Sequence, residues 1–77
     1  MAKSQKKIFN EIKAELLQKH HNLENISDID FKNAMRWVTS MTREKINEYY
    51  HWYLSYGVIS EIDLNDGKGG VRVVFNE

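Results

Sequence analysis

Five large aromatic residues, Tyr49, Tyr50, Trp52, Tyr53 and Tyr56, fall within eight positions of the stretch SMTREKINEYYHWYLSYGVI, Ser40 to Ile59. Rings at this density can fill a core, meet another protein chain or stack on unpaired bases. On a helix, Trp52 and Tyr56 lie four residues apart on one flank that a small core does not need. An exposed pair of that kind marks a contact: a second subunit, or bases whose stacking contributes about 1 to 3 kcal/mol each. Trp37 is a candidate for the same patch.

The other chemistry-bearing residues form no reactive constellation. His20 and His21 are adjacent, so a helix points them apart, and His51 has no second histidine at ligand spacing, with Glu48 its nearest carboxylate. No metal or cofactor is expected. There is no cysteine, no serine stands in a nucleophile motif, and NDGKGG lacks the spacing of a phosphate-binding loop and does not precede a helix. The chain is not expected to be an enzyme.

Seventy-seven residues imply one domain, 1–77, burying about 60 to 65% of the surface exposed by the unfolded chain. Without cysteine, and with no uninterrupted apolar run at its start, the expected location is cytoplasmic. Eleven Lys and Arg balance eleven Asp and Glu, which argues against a coat that holds nucleic acid by bulk charge. Residues 1–20 carry five Lys against two Glu, residues 21–56 four basic against five acidic, and residues 57–77 two basic against four acidic. By this measure the amino-terminal helix is the most basic element.

The elements that must position these residues are three helices and a hairpin. Ile8, Phe9, Ile12, Leu16 and Leu17 form an apolar stripe, predicting a helix over 4–20. In ISDIDF, Ser27 and Asp30 have capping-box spacing and Ile26 and Phe31 staple spacing, opening a helix over 28–38 with Phe31, Ala34, Met35 and Val38 inward. Thr42 caps a third helix over 42–56, with Met41 and Ile46 as its staple and Gly57 at its exit. Ile46, Tyr50 and Tyr53 share its inner face, Glu44, Glu48, His51 and Ser55 its outer one, with Lys45, Trp52 and Tyr56 on one flank and Asn47 on the other. Past Gly57 the period becomes two, and NDGKGG joins two strands in a hairpin over 58–76.

This α+β order resembles the winged helix-turn-helix superfamily. Thr42, Ile46 and the GVI from Gly57 stand at the spacing of that family's cap, aliphatic and exit residues, while Tyr50 and Tyr53 stand where it usually has leucines. The resemblance implies three helices followed by a two-stranded hairpin wing, and binding of specific duplex DNA by a small transcriptional regulator. The third helix would enter the major groove and the hairpin would touch the backbone. Arg43, Lys45, Asn47 and His51 are then the expected contacts, with Ser40 and Thr42 at the helix start and Lys68 and Arg72 from the hairpin. Two departures stand against it: Glu44 and Glu48 would lie near phosphates, and the hairpin is poor in basic residues. Glu44 with Glu48, and Lys45 with Tyr49, make no favourable pair at four-residue spacing, so this face is not built for helix stability. A homodimer reading two half-sites would enlarge the footprint. Two alternatives remain open, a single-stranded nucleic-acid binder using Trp52, Tyr56 and the basic first helix, and a protein-interaction module that binds no DNA.

Overall fold

The computed structural model describes residues 5–63 and 70–76. Its elements are α1 (Gln5–His20), β1 (Ile26–Ser27), α2 (Asp28–Thr39), α3 (Arg43–Ser55), β2 (Ile59–Asp63) and β3 (Val71–Phe75), an α+β architecture. No helix among the described residues is long and apolar enough to cross a membrane.

Each helix begins and ends for a local reason. In α1 the stripe Ile8, Phe9, Ile12 and Leu16 is buried, whereas Leu17 stays 45% exposed because one further residue rotates about 100° off the stripe. His21 ends the helix in the left-handed region, its N–H donating to the Leu17 carbonyl at 2.9 Å. At α2 the capping box forms as its spacing predicts: the Asp30 N–H donates to Ser27 Oγ at 3.0 Å and the Ser27 N–H to Asp30 Oδ2 at 3.4 Å. The connection to α3 is held by Thr39, whose hydroxyl donates to the Met35 carbonyl at 2.6 Å and accepts the Met41 N–H at 3.3 Å. Ser40 turns left-handed there, a conformation that costs a non-glycine residue about 1 to 2 kcal/mol. Thr42 Oγ1 then accepts the Lys45 N–H at 3.3 Å and starts α3. Gly57, at φ 73°, closes α3 with its N–H on the Leu54 carbonyl. Space around a side chain there is open, so the backbone angle alone calls for glycine.

The sheet departs from the expected two-stranded hairpin. It has three antiparallel strands in the order β1-β3-β2, with Ile26 opposite Val73 and Ser27 opposite Arg72. The additional strand is two residues long, too short to show a period of two. Its origin is the helix cap: an N-cap residue is extended, Ser27 has φ −81° and ψ 164°, and that geometry lets the same residues pair with the otherwise open edge of β3. The tip NDGKGG, as far as Gly69, and Leu64 before it lie outside the described residues.

Pleat alternation places Ile59, Val73 and Phe75 on the core side, and Ile59 and Val73 are fully buried. Ile59 and Ile62 are three apart and cannot share a face. Ile62 therefore turns outward opposite Arg72 and is 48% exposed, while Glu61, opposite Val73, lies on the Ile59 side of the strand at the open edge of the sheet and stays exposed. Tyr50 Oη donates to Glu61 Oε2 at 2.7 Å and satisfies it. An aromatic cluster runs through the aliphatic core: Phe9 meets Tyr53 at 5.2 Å between centroids, and Phe31 meets Tyr50 and Phe75 at 5.7 Å each. Among the described residues no buried side-chain polar atom lacks a hydrogen bond. This aromatic platform fixes α3 against both α2 and the sheet.

Candidate nucleic-acid interface

With Ile46, Tyr50 and Tyr53 buried, helical geometry leaves α3 an outer ridge and two flanks. Glu44, Glu48, His51 and Ser55 form the exposed ridge. Arg43 and Asn47, four apart, lie on the flank that meets α2. Lys45, Trp52 and Tyr56 lie on the other. The expected grouping of Arg43, Lys45, Asn47 and His51 is therefore divided: the structure brings Arg43 and Asn47 together, leaves His51 on the ridge and puts Lys45 across the helix.

Between α2 and α3 runs an open cleft of about 530 Å³ lined by Ile29, Lys32, Asn33, Arg36, Arg43, Ile46 and Asn47. The α2 residues recur at 29, 32, 33 and 36, the spacing of one helix face. Three cations and two amides thus share one concavity with no carboxylate in its wall. Among the described residues none of these cations is in an ion pair; Lys32 instead rests its ammonium 4.6 Å from the Tyr50 ring centroid. Lys32 and Arg36 are like charges at four-residue spacing, an arrangement that weakens an isolated helix by about 0.2 to 0.5 kcal/mol. Lys32, Asn33 and Arg36 carry no signal in the sequence by themselves, because the cleft exists only once α2 faces α3.

Lys45 is engaged elsewhere. Its ammonium lies 3.2 Å from Glu48 Oε2, an exposed pair at three-residue spacing, so α3 does carry a stabilising pair that four-residue spacing misses. In β3, Arg72 alternates with buried Val73 and lies on the outer face of the sheet, beside Glu24 and Asn25 and away from the cleft. Lys68 lies outside the described residues. Ser40 and Thr42 occupy the turn that opens α3, Thr42 with its hydroxyl oxygen already accepting from Lys45.

The aromatic residues divide as well. Trp52 and Tyr56 stack on each other at 4.4 Å between centroids, with Trp52 half-buried and Tyr56 69% exposed. They border a hollow of about 310 Å³ with Lys6, Phe9, Tyr53 and Val58. Trp37, 71% exposed, does not join them; Lys19 lies 5.2 Å from its ring centroid. Lys6 and Lys19 are thirteen residues apart on α1, about 20 Å at 1.5 Å per residue, which separates the two sites.

Burial pushes the Tyr50 hydroxyl well above the ordinary tyrosine range, and its hydrogen bond to Glu61 and the charges of Glu61 and Asp28 push it further. Tyr53 is raised as well, first by burial and then by Tyr49. Both stay protonated at neutral pH, so Tyr50 remains the donor that holds Glu61. Two carboxylates, Asp28 and Glu61, thus act on Tyr50, the ring on which the cleft residue Lys32 rests.

No known protein family, curated protein or solved structure matches the chain.

Proposed function

We propose that the chain is a winged-helix domain that binds duplex DNA in a sequence-specific manner and serves a small transcriptional regulator. The observation that carries this reading is the α2–α3 cleft, where Lys32, Arg36 and Arg43 converge without a carboxylate in the wall and without an ion pair among the described residues. Cations left unpaired beside one another cost stability, and a polyanion recovers that cost. Arg43 and Asn47 supply the reading groups on the first turns of α3: a guanidinium can span the acceptors of guanine, and an amide can pair with adenine. The width of α3 suits the major groove.

Two copies would double the phosphate contacts, and the face bearing Tyr56 beside Trp52 is the surface we assign to that contact. Fluorescence anisotropy with labelled duplex and single-stranded oligonucleotides at two salt concentrations tests the reading. Tighter binding to duplex, weakening as salt rises, supports it. Preference for single strands with quenched tryptophan fluorescence would instead assign Trp52 and Tyr56 to base stacking. Binding to neither would leave a protein-interaction module.

A further inference from the structure

Resting on the duplex-binding reading, we infer that the DNA docks rolled toward α2, with backbone phosphates held by Lys32 and Arg36, and that the glutamate ridge of α3 and the paired strands of the hairpin stay off the phosphates.

Three separate placements lead there. The outermost line of α3 carries Glu44 and Glu48, and Lys45 on the neighbouring flank is already bound to Glu48. Docked ridge-first, α3 would press two carboxylates toward the backbone. The flank carrying Arg43 and Asn47 avoids this, because α2 extends it with Lys32, Asn33 and Arg36 across the open cleft of about 530 Å³. The described part of the hairpin offers the opposite charge. In β2, Glu61 and Asp63 are exposed, Glu61 is fixed at the edge of the sheet by Tyr50, and Arg72 of β3 lies on the far face near Glu24. At physiological salt, charges within about 8 Å of a phosphate are felt with little screening. A backbone laid along β2 would therefore be repelled, whereas one laid along α2 meets the cations and amides of Lys32 to Arg36, with the carboxylates of Asp28 and Glu61 lying beyond the Lys32 end.

Ile29 fits the same geometry. It is 65% exposed and lines the cleft, an apolar side chain where sugar carbons of a backbone gripped by Lys32 and Arg36 would pass.

The consequence is measurable as a salt slope. Each phosphate neutralised contributes about −0.9 to the slope of log affinity against log salt, so Lys32 and Arg36 together give about −1.8 per subunit. The test uses the full chain and two labelled duplexes, one rich in A·T and one in G·C. Arg36→Ala and Lys32→Ala should each weaken binding about 5- to 10-fold at 0.1 M salt on both duplexes and make the slope shallower by about 0.9. Lys45→Ala and Arg72→Ala should bind as the parent does. Lys32 also supports the Tyr50 ring, so circular dichroism must show its variant folded; Arg36 is exposed with no such role and decides the matter by itself. If Lys45→Ala or Arg72→Ala takes the losses while Arg36→Ala matches the parent, duplex binding stands and the rolled docking is wrong. If the parent binds neither duplex, both readings fall.

Discussion

The α2–α3 cleft and the hairpin strands are built from similar residues in opposite proportion. The cleft gathers Lys32, Arg36 and Arg43 with no lining carboxylate, whereas the strands carry Glu61 and Asp63 against Arg72. The chain as a whole is neutral. Charge segregates only through folding: residues 21–56 contain more acidic than basic residues, yet they build the cationic concavity. The first helix, most basic by tally, has Lys19 paired with Glu15 at 3.3 Å and Lys13 lying 5.5 Å from the Phe9 ring centroid. A partner's chemistry is read here from what the surface leaves uncompensated.

Both regions hang on the aromatic platform, so removing it should erase the contrast altogether. Tyr53→Ala is expected to cost about 3 to 5 kcal/mol, enough to unfold much of a domain this small, and urea denaturation followed by circular dichroism measures it. A smaller change would sharpen the boundary between the regions. Tyr50→Phe keeps the ring under Lys32 but removes the donor to Glu61, and should lower stability by about 1.5 kcal/mol by the same assay while releasing the Glu61 carboxylate.

The same two tyrosines predict the alkaline behaviour. Their pKa values are raised in the folded state, so folding favours the protonated form and the stabilisation is complete below the ordinary value of about 10. It is lost as pH rises from there toward the folded values. The urea midpoint should hold up to about pH 9 and fall above about pH 10, with Tyr50 and Tyr53 ionising as the chain opens. Thr42→Ala should cost about 1 kcal/mol through the lost cap of α3 and fray the turn that carries Arg43. Smallest of all, Lys45→Ala should change stability by less than about 0.5 kcal/mol, since both members of its ion pair are exposed.

Much of the frame is legible in the sequence. Ser27 with Asp30 and Thr42 mark two helix starts, Gly57 marks an exit, and the apolar spacing picks out Phe9, Ile12, Phe31, Met35, Ile46 and Tyr53 as core. These are signals between near neighbours. What escapes depends on juxtaposition. The strand at Ile26 and Ser27 exists only because β3 returns beside it, and Glu61 comes within reach of Tyr50 only because Ile59, and not Ile62, fills the core. The cleft draws on two helices whose facing surfaces no single periodicity reveals. Of the residues expected at a DNA surface, Arg43 and Asn47 are in the cleft; Lys45, His51 and Arg72 are on other faces, and Lys32, Asn33 and Arg36 were not among them.

The most direct measurement of the central claim is a map of backbone amide shifts in nitrogen–proton correlation spectra as unlabelled duplex DNA is added to the isotope-labelled chain. The cleft account predicts the largest shifts at Asn33, Arg36, Arg43 and Asn47, with Ser60 to Asp63 of β2 and Arg72 of β3 close to their free positions. Shifts concentrated at Trp52, Tyr56 and Val58, or along β2, with the α2 amides unmoved, would contradict it.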